Sequence, residues 1–142
     1  MKKIFYAIIG IALIITALVV LSSESKSEKT VVYHITLADP KLYTDGIFTD
    51  TFKIQNGTYQ FSFVPNGDSP QIMSIQLKGE SFSLSRDFKL VGTPHNTGIS
   101  TYYTWDYDGE KELEILEDVE LEITINPHEN LLGSVSVDII KR

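Results

Sequence analysis

Nine carboxylates and a single lysine, Lys111, fall between residues 106 and 122. Clustered carboxylate oxygens are natural ligands for calcium. Asp106, Asp108, Glu112, Glu114, Glu120 and Glu122 are therefore the residues that could hold a cation. If residues 112–116 paired directly with 119–125, their apolar faces would match. Glu114 would then face Glu120, and Glu112 would face Glu122. Like charges directly opposite one another destabilise a strand pair. Either the two strands lie in different sheets and the acids form a solvated face, or calcium relieves the repulsion. No EF-hand spacing is present, which favours the solvated face. Asp106-Tyr107-Asp108-Gly109 reads as a turn before it reads as a ligand loop.

The remaining titratable candidates are dispersed. His34, His95 and His128 show neither the i, i+4 spacing of a helix nor the i, i+2 spacing of a strand. A zinc or copper site would need the fold to converge them, so independent surface or loop histidines are expected. There is no cysteine, which removes disulfides, a thiol nucleophile, Cys-ligated zinc and a lipidated cysteine. No Gly-x-Ser-x-Gly, no Ser-x-x-Lys set, no phosphate loop and no dinucleotide fingerprint occurs. A small envelope enzyme is accordingly the least favoured class. From residue 30 onward, 17 acidic side chains face 8 basic ones, leaving nine net negative charges. Such a surface repels phosphate backbones, so no nucleic-acid partner is expected.

Aromatic side chains gather at Tyr102, Tyr103, Trp105 and Tyr107. Exposed aromatics stack on sugars or peptides. Strand alternation puts Tyr103, Trp105 and Tyr107 on the core side and leaves Tyr102 on the other face. Residues 92–99 are rich in turn formers and read as a connecting loop, where contacts tend to fall. His95 and Asn96 sit in it, so Tyr102, His95 and Asn96 are the candidate contact residues. Asn56-Gly57-Thr58 is a glycosylation sequon at an expected hairpin tip. The turn accounts for Asn-Gly without a glycan, so modification of Asn56 is permitted and not required.

The elements that must carry these residues are strands. Apolar residues recur at every second position in six sets: Val31 to Leu37, Tyr59 to Phe63, Met73 to Leu77, Tyr103 to Tyr107, Val119 to Ile125 and Val135 to Ile139. Alternation of this kind means one face buried and one wet. Turn-forming pairs fall between the sets, at Asp45-Gly46, Asn56-Gly57, Asn66-Gly67, Asp108-Gly109 and Asn126-Pro127. The expectation is an all-β antiparallel sandwich or jelly roll of about eight strands. Two local hairpins are expected. A two-residue turn at Asn56-Gly57 pairs Ile54 with Tyr59 and Phe52 with Phe61, and a three-residue loop from Asp108 pairs Trp105 with Leu113 and Tyr103 with Ile115.

Residues 4–21 form an apolar run of 18 residues behind Lys2 and Lys3. As a helix the run spans about 27 Å, close to the ~30 Å hydrocarbon core of a bilayer. The flanking lysines stay on the cytoplasmic side, which sends the rest of the chain across. A signal peptide has a shorter apolar region and a small-x-small exit, so residues 1–22 read as an uncleaved anchor, with the cleaved signal as the alternative and secretion its result. Residues 23–29 are a polar linker, and 30–142 form the sandwich domain.

The run Gly57-Thr58-Tyr59-Gln60-Phe61-Ser62-Phe63-Val64-Pro65-Asn66 resembles a strand motif of small extracytoplasmic β-sandwich modules, of the GOLD type or the pre-peptidase C-terminal type. The likeness covers that segment and, loosely, the order of strands. GOLD domains of the cargo-receptor type carry a cysteine pair and a C-terminal membrane helix. This chain has neither, and its apolar segment lies at the other end. The resemblance implies a non-catalytic binding or assembly module and carries no site residues over. The whole chain is also similar to short membrane-anchored proteins of archaea or bacteria. The expected partners are the membrane, through the N-terminal helix, and another envelope protein or a glycan. The alternative is a calcium-binding sandwich domain.

Overall fold

The computed structural model describes residues 28–142. The expected anchor and residues 23–27 of the linker lie outside the described residues. Among the described residues no helix is long and apolar enough to cross a membrane.

The described chain is all-β. Nine strands follow in order: β1 (Val31–Leu37), β2 (Phe48–Ile54), β3 (Gly57–Pro65), β4 (Ile72–Lys78), β5 (Ser83–Asn96), β6 (Thr101–Asp108), β7 (Glu112–Ile115), β8 (Val119–Asn126) and β9 (Val135–Lys141). A single 3-10 turn, Pro40–Leu42, links β1 to β2 and is capped by the Asp39 carboxylate accepting from the Lys41 amide at 2.9 Å. Two antiparallel sheets form, in the orders β1-β9-β3-β7 and β2-β8-β4-β5-β6. They face one another across the alternating apolar sets. Tyr59, Phe61, Met73, Ile75, Leu77, Leu121, Ile123, Ile125, Val137 and Ile139 are all buried. Phe88 sits at the centre of an aromatic cluster, with ring centroids 5.4 Å from Phe61 and 4.8 Å from Phe63, and Tyr107 lies 5.2 Å from Phe63. Burying each such ring contributes about 1.5–3 kcal/mol.

Both expected hairpins are corrected. β2 pairs with β8, and β3 pairs with β9 and β7, so Asn56-Gly57 carries the chain from one sheet to the other. β6 pairs with β5 and β7 with β3, so Asp108-Gly109 is also a change of sheet, after which Phe61 donates its amide to the Lys111 carbonyl at 2.9 Å. Two strands in opposite sheets turn their apolar faces toward the same core. The matched alternation that suggested hairpins is satisfied equally by a crossing.

The two ends of the described chain share one pole. Thr30 accepts from the Lys141 amide at 2.8 Å, and Thr58 from the Arg142 amide at 3.0 Å. At the opposite pole lie the connections β1–β2, β3–β4 and β8–β9. β5 continues past them. It pairs with β4 only from Ser83 to Lys89, and with β6 only from Lys89 to Asn96.

Candidate functional site

That division of β5 creates the most distinctive surface of the molecule. Beyond Lys89, β5 and β6 have only each other as strand partners and project as a two-stranded arm, extending about 15 Å from residue 93 to the turn at 3.3 Å per residue. Residues 92–96, expected as loop, are strand, and the loop proper is residues 97–100. Pro94 is accommodated because β5 has a neighbour on one side only at this point, so no second ladder needs its missing N–H. The turn closes through the Asn96 side-chain oxygen, which accepts from the Gly98 amide at 2.7 Å, and through the Thr97 amide, which donates to the Ser100 carbonyl at 2.9 Å. Gly98 has φ +85°, a conformation that side chains with a Cβ resist.

The three candidate contact residues come together here. His95 pairs with Tyr102, their rings stack with centroids 4.9 Å apart, and His95 Nε2 lies 2.8 Å from Thr104 Oγ1. Asn96 serves the turn. The other face of the arm was misjudged from the sequence. Tyr103 is 54% exposed, not buried, because no strand of the opposite sheet reaches far enough to cover it. It stacks on Trp105, centroids 5.8 Å apart. Trp105 is half-buried and forms the root of the arm. Its indole lies flat against Gly92, where an added Cβ would meet ring atoms at 2.6 Å, and against Gly67 of the β3–β4 loop, where it would meet them at 3.1 Å. Tyr107, one step further in, is buried and donates its hydroxyl to the Pro70 carbonyl at 2.6 Å. Burial pushes the Tyr107 phenol well above its ordinary pKa, with Tyr43 nearby adding to the rise. Ile99 stands at the tip, 98% exposed.

The arm is also electrically bare. Residues 91–105 contain no Asp, Glu, Lys or Arg across 15 positions, in a chain of which 22% is charged. Absence of charge is ordinary in a buried strand. On an exposed hairpin of an acidic domain it is a departure from the rest of the surface.

The acidic residues are distributed over two sheets. Glu112 pairs with Gln60 and Glu114 with Thr58 in one, while Glu120 pairs with Lys53 and Glu122 with Thr51 and Lys78 in the other. Asp106 binds Lys111 at 2.7 Å, and Asp108 pairs with Lys89. Strand separation and lysine pairing thus relieve the repulsion that calcium was invoked to relieve. Among the described residues no group of three His, Asp or Glu side chains converges on a metal position. Asn56 is exposed at the crossing between sheets, with its amide donating to Asp118 Oδ1 at 2.9 Å.

The two other histidines occupy separate polar clusters. Asp138 Oδ1 accepts from His34 Nδ1 at 2.5 Å, His34 Nε2 lies 3.3 Å from Thr36 Oγ1, and Thr36 Oγ1 lies 2.8 Å from Ser136 Oγ. The series resembles a catalytic relay in order, but it spreads along the flat outer face of a sheet with the His34 side chain 57% exposed. His128 bonds Ser74 Oγ at 2.8 Å, and Ser74 donates to Asp87 at 2.5 Å. His128 and Glu129, with φ of 51° and 74°, line an open cleft of about 600 Å³ together with Asp45, whose φ is 51°. Sequence alternation gave no sign of this cleft, because it is assembled from two connections distant in the chain.

The fold and its projecting hairpin define a class: an antiparallel two-sheet β-sandwich bearing an uncharged β-arm. No protein-family model matches the chain, and neither a curated protein nor a solved structure matches it.

Proposed function

We propose that the chain is a non-catalytic binding or assembly module, held at the outer face of a membrane by its N-terminal segment, with the β5–β6 arm as its contact surface. One observation carries this reading: the longest exposed projection of the domain is uncharged and presents Ile99, Tyr102 and Tyr103 to solvent. Aromatic side chains on a rigid hairpin give large contact area at low entropic cost, which is how hot spots are built. The sandwich supplies the rigid frame, and the described chain begins, near Thr30, at the pole opposite the arm.

The test uses the full chain in cells. A photo-reactive residue at position 99 should cross-link to a discrete neighbour, and the same residue at position 124, on the outer face of the sheet, should not. Tyr102→Ser should abolish the product. Alkaline carbonate should leave the chain in the membrane fraction, and protease added to intact cells should reach the domain. Equal cross-linking at positions 99 and 124, or a domain protected inside intact cells, refutes the proposal.

A further inference from the structure

We infer that the free edge of β7 is a second docking site, which takes an extended segment of a partner protein with basic and apolar side chains in alternation. This surface is separate from the arm, so the inference goes beyond the binding reading above and does not depend on it.

The two flanks of the sandwich differ. On one, side chains of β1 and β2 bridge the sheets: the Tyr33 hydroxyl donates to Asp50 at 3.1 Å, and the Tyr33 and Phe52 rings lie 4.5 Å apart. On the other, the sheets end in β7 and in residues 83–88 of β5, and neither has a strand beyond it among the described residues. Two open cavities of about 400 and 370 Å³ adjoin there, sharing Phe82. Leu84, Leu113 and Ile115 add to their apolar lining. Arg86 lines the first, and its Nε is buried without an acceptor. The backbone of β7 is open on the same side. Phe61 donates its amide to the Lys111 carbonyl at 2.9 Å, so ladder alternation turns Leu113 and Ile115 toward β3. The N–H and C=O groups of Glu112 and Glu114 then face outward.

Charge and alternation select the occupant. A strand added to such an edge gains main-chain hydrogen bonds, and the sites for its alternate side chains set which sequence it must have. Its outward side chains would lie beside the exposed Glu112 and Glu114, and its inward ones beside the buried Leu113 and Ile115. Opposite charges across a strand pair stabilise it and like charges destabilise it. The outward positions therefore call for lysine or arginine, and the inward positions for apolar groups that fill the cavities. The negative charge here is in excess. Residues 110–118 hold five carboxylates and one lysine, Lys111, which Asp106 binds at 2.7 Å. Arg86 and Arg142 meet Glu110 and Glu112. Glu114, Glu117 and Asp118 have no cationic partner among the described residues. The same charges reject a second β7, which would set glutamate against glutamate.

The test uses the full chain in non-ionic detergent and a dye-labelled octapeptide of alternating lysine and valine, followed by fluorescence anisotropy. The peptide should bind, and hydrogen exchange at the Glu112 and Glu114 amides should slow at least tenfold. A lysine–glycine octapeptide of equal charge should bind at least tenfold more weakly, because it has nothing to place in the cavities. Glu114→Lys should weaken the lysine–valine peptide at least tenfold and should bind a glutamate–valine octapeptide that the native chain rejects. Glu129→Lys makes the same change of charge at the opposite pole and should leave the affinity unaltered. Equal weakening by E114K and E129K overturns the inference, since it would mean attraction to net charge alone. So does unaltered exchange at the two amides, or no binding by the native chain. Each of these failures leaves the cross-link at position 99, and with it the reading of the arm, untouched.

Discussion

Gly92→Ala is a small change with a calculable consequence. The added methyl would lie 2.6, 2.8 and 3.0 Å from three carbons of the Trp105 indole, all within the ~3.5–4.0 Å of an ordinary carbon–carbon contact. The ring must therefore retreat by roughly 1 Å, and in doing so it leaves its seat at the root of the arm. Overpacking of this kind costs about 1–3 kcal/mol. For a domain of this size that lowers Tm by roughly 4–12 °C. Trp105 is the only tryptophan, so its fluorescence reports the event directly. The expected result is a lower midpoint, emission moved to the red, and faster hydrogen exchange in residues 93–104 with the sandwich amides unchanged. Gly67→Ala, with its closest approach at 3.1 Å, should show the same changes more weakly. An unaltered midpoint together with unaltered emission in Gly92→Ala would refute the reasoning that the indole is seated on that glycine.

Other outcomes follow from the same structure. The Tyr43 hydroxyl is buried without a hydrogen-bond partner, so Tyr43→Phe should raise stability by about 1 kcal/mol in a denaturant titration. Burial, with the Asp50 carboxylate beside it, raises the pKa of Tyr33, and burial raises that of Tyr107. Below pH ~10 these phenols are protonated in both states. Above it the unfolded chain ionises first, so stability should fall by about 1.4 kcal/mol per pH unit for each phenol, read as Tm against pH. Adding calcium or a chelator should leave Tm unchanged, whereas a rise with calcium would show that the separated carboxylates do bind it.

Legibility in the sequence divides along physical lines. The class of fold and most of the core could be read because burial imposes a two-residue period, and β3, β4 and β8 obey it throughout, with β9 departing only at Ile140. The long strand β5 was overlooked for a definite reason. Its inward series runs Leu84, Arg86, Phe88, Leu90, Gly92, and a charge and a glycine break the apolar pattern at two of its five positions. Both departures have partners visible only in three dimensions: Arg86 pairs with Glu110 at 3.1 Å, and Gly92 receives an indole. Sheet membership was illegible because alternation reports which way a side chain faces and carries nothing about which neighbour supplies the hydrogen bonds. The position of Tyr102 on the outer face of its strand was readable, but the exposure of Tyr103 was not. Its position in the alternation is that of a core residue, and only the reach of β5 beyond the opposing sheet turns it outward.

The two ends of the described chain, near Thr30 and Arg142, lie at one pole and the arm at the other. With β5 about 45 Å long, a label attached after Arg142 would stand roughly 45 Å from the turn at residues 97–100, far enough to leave Ile99, Tyr102 and Tyr103 unobstructed.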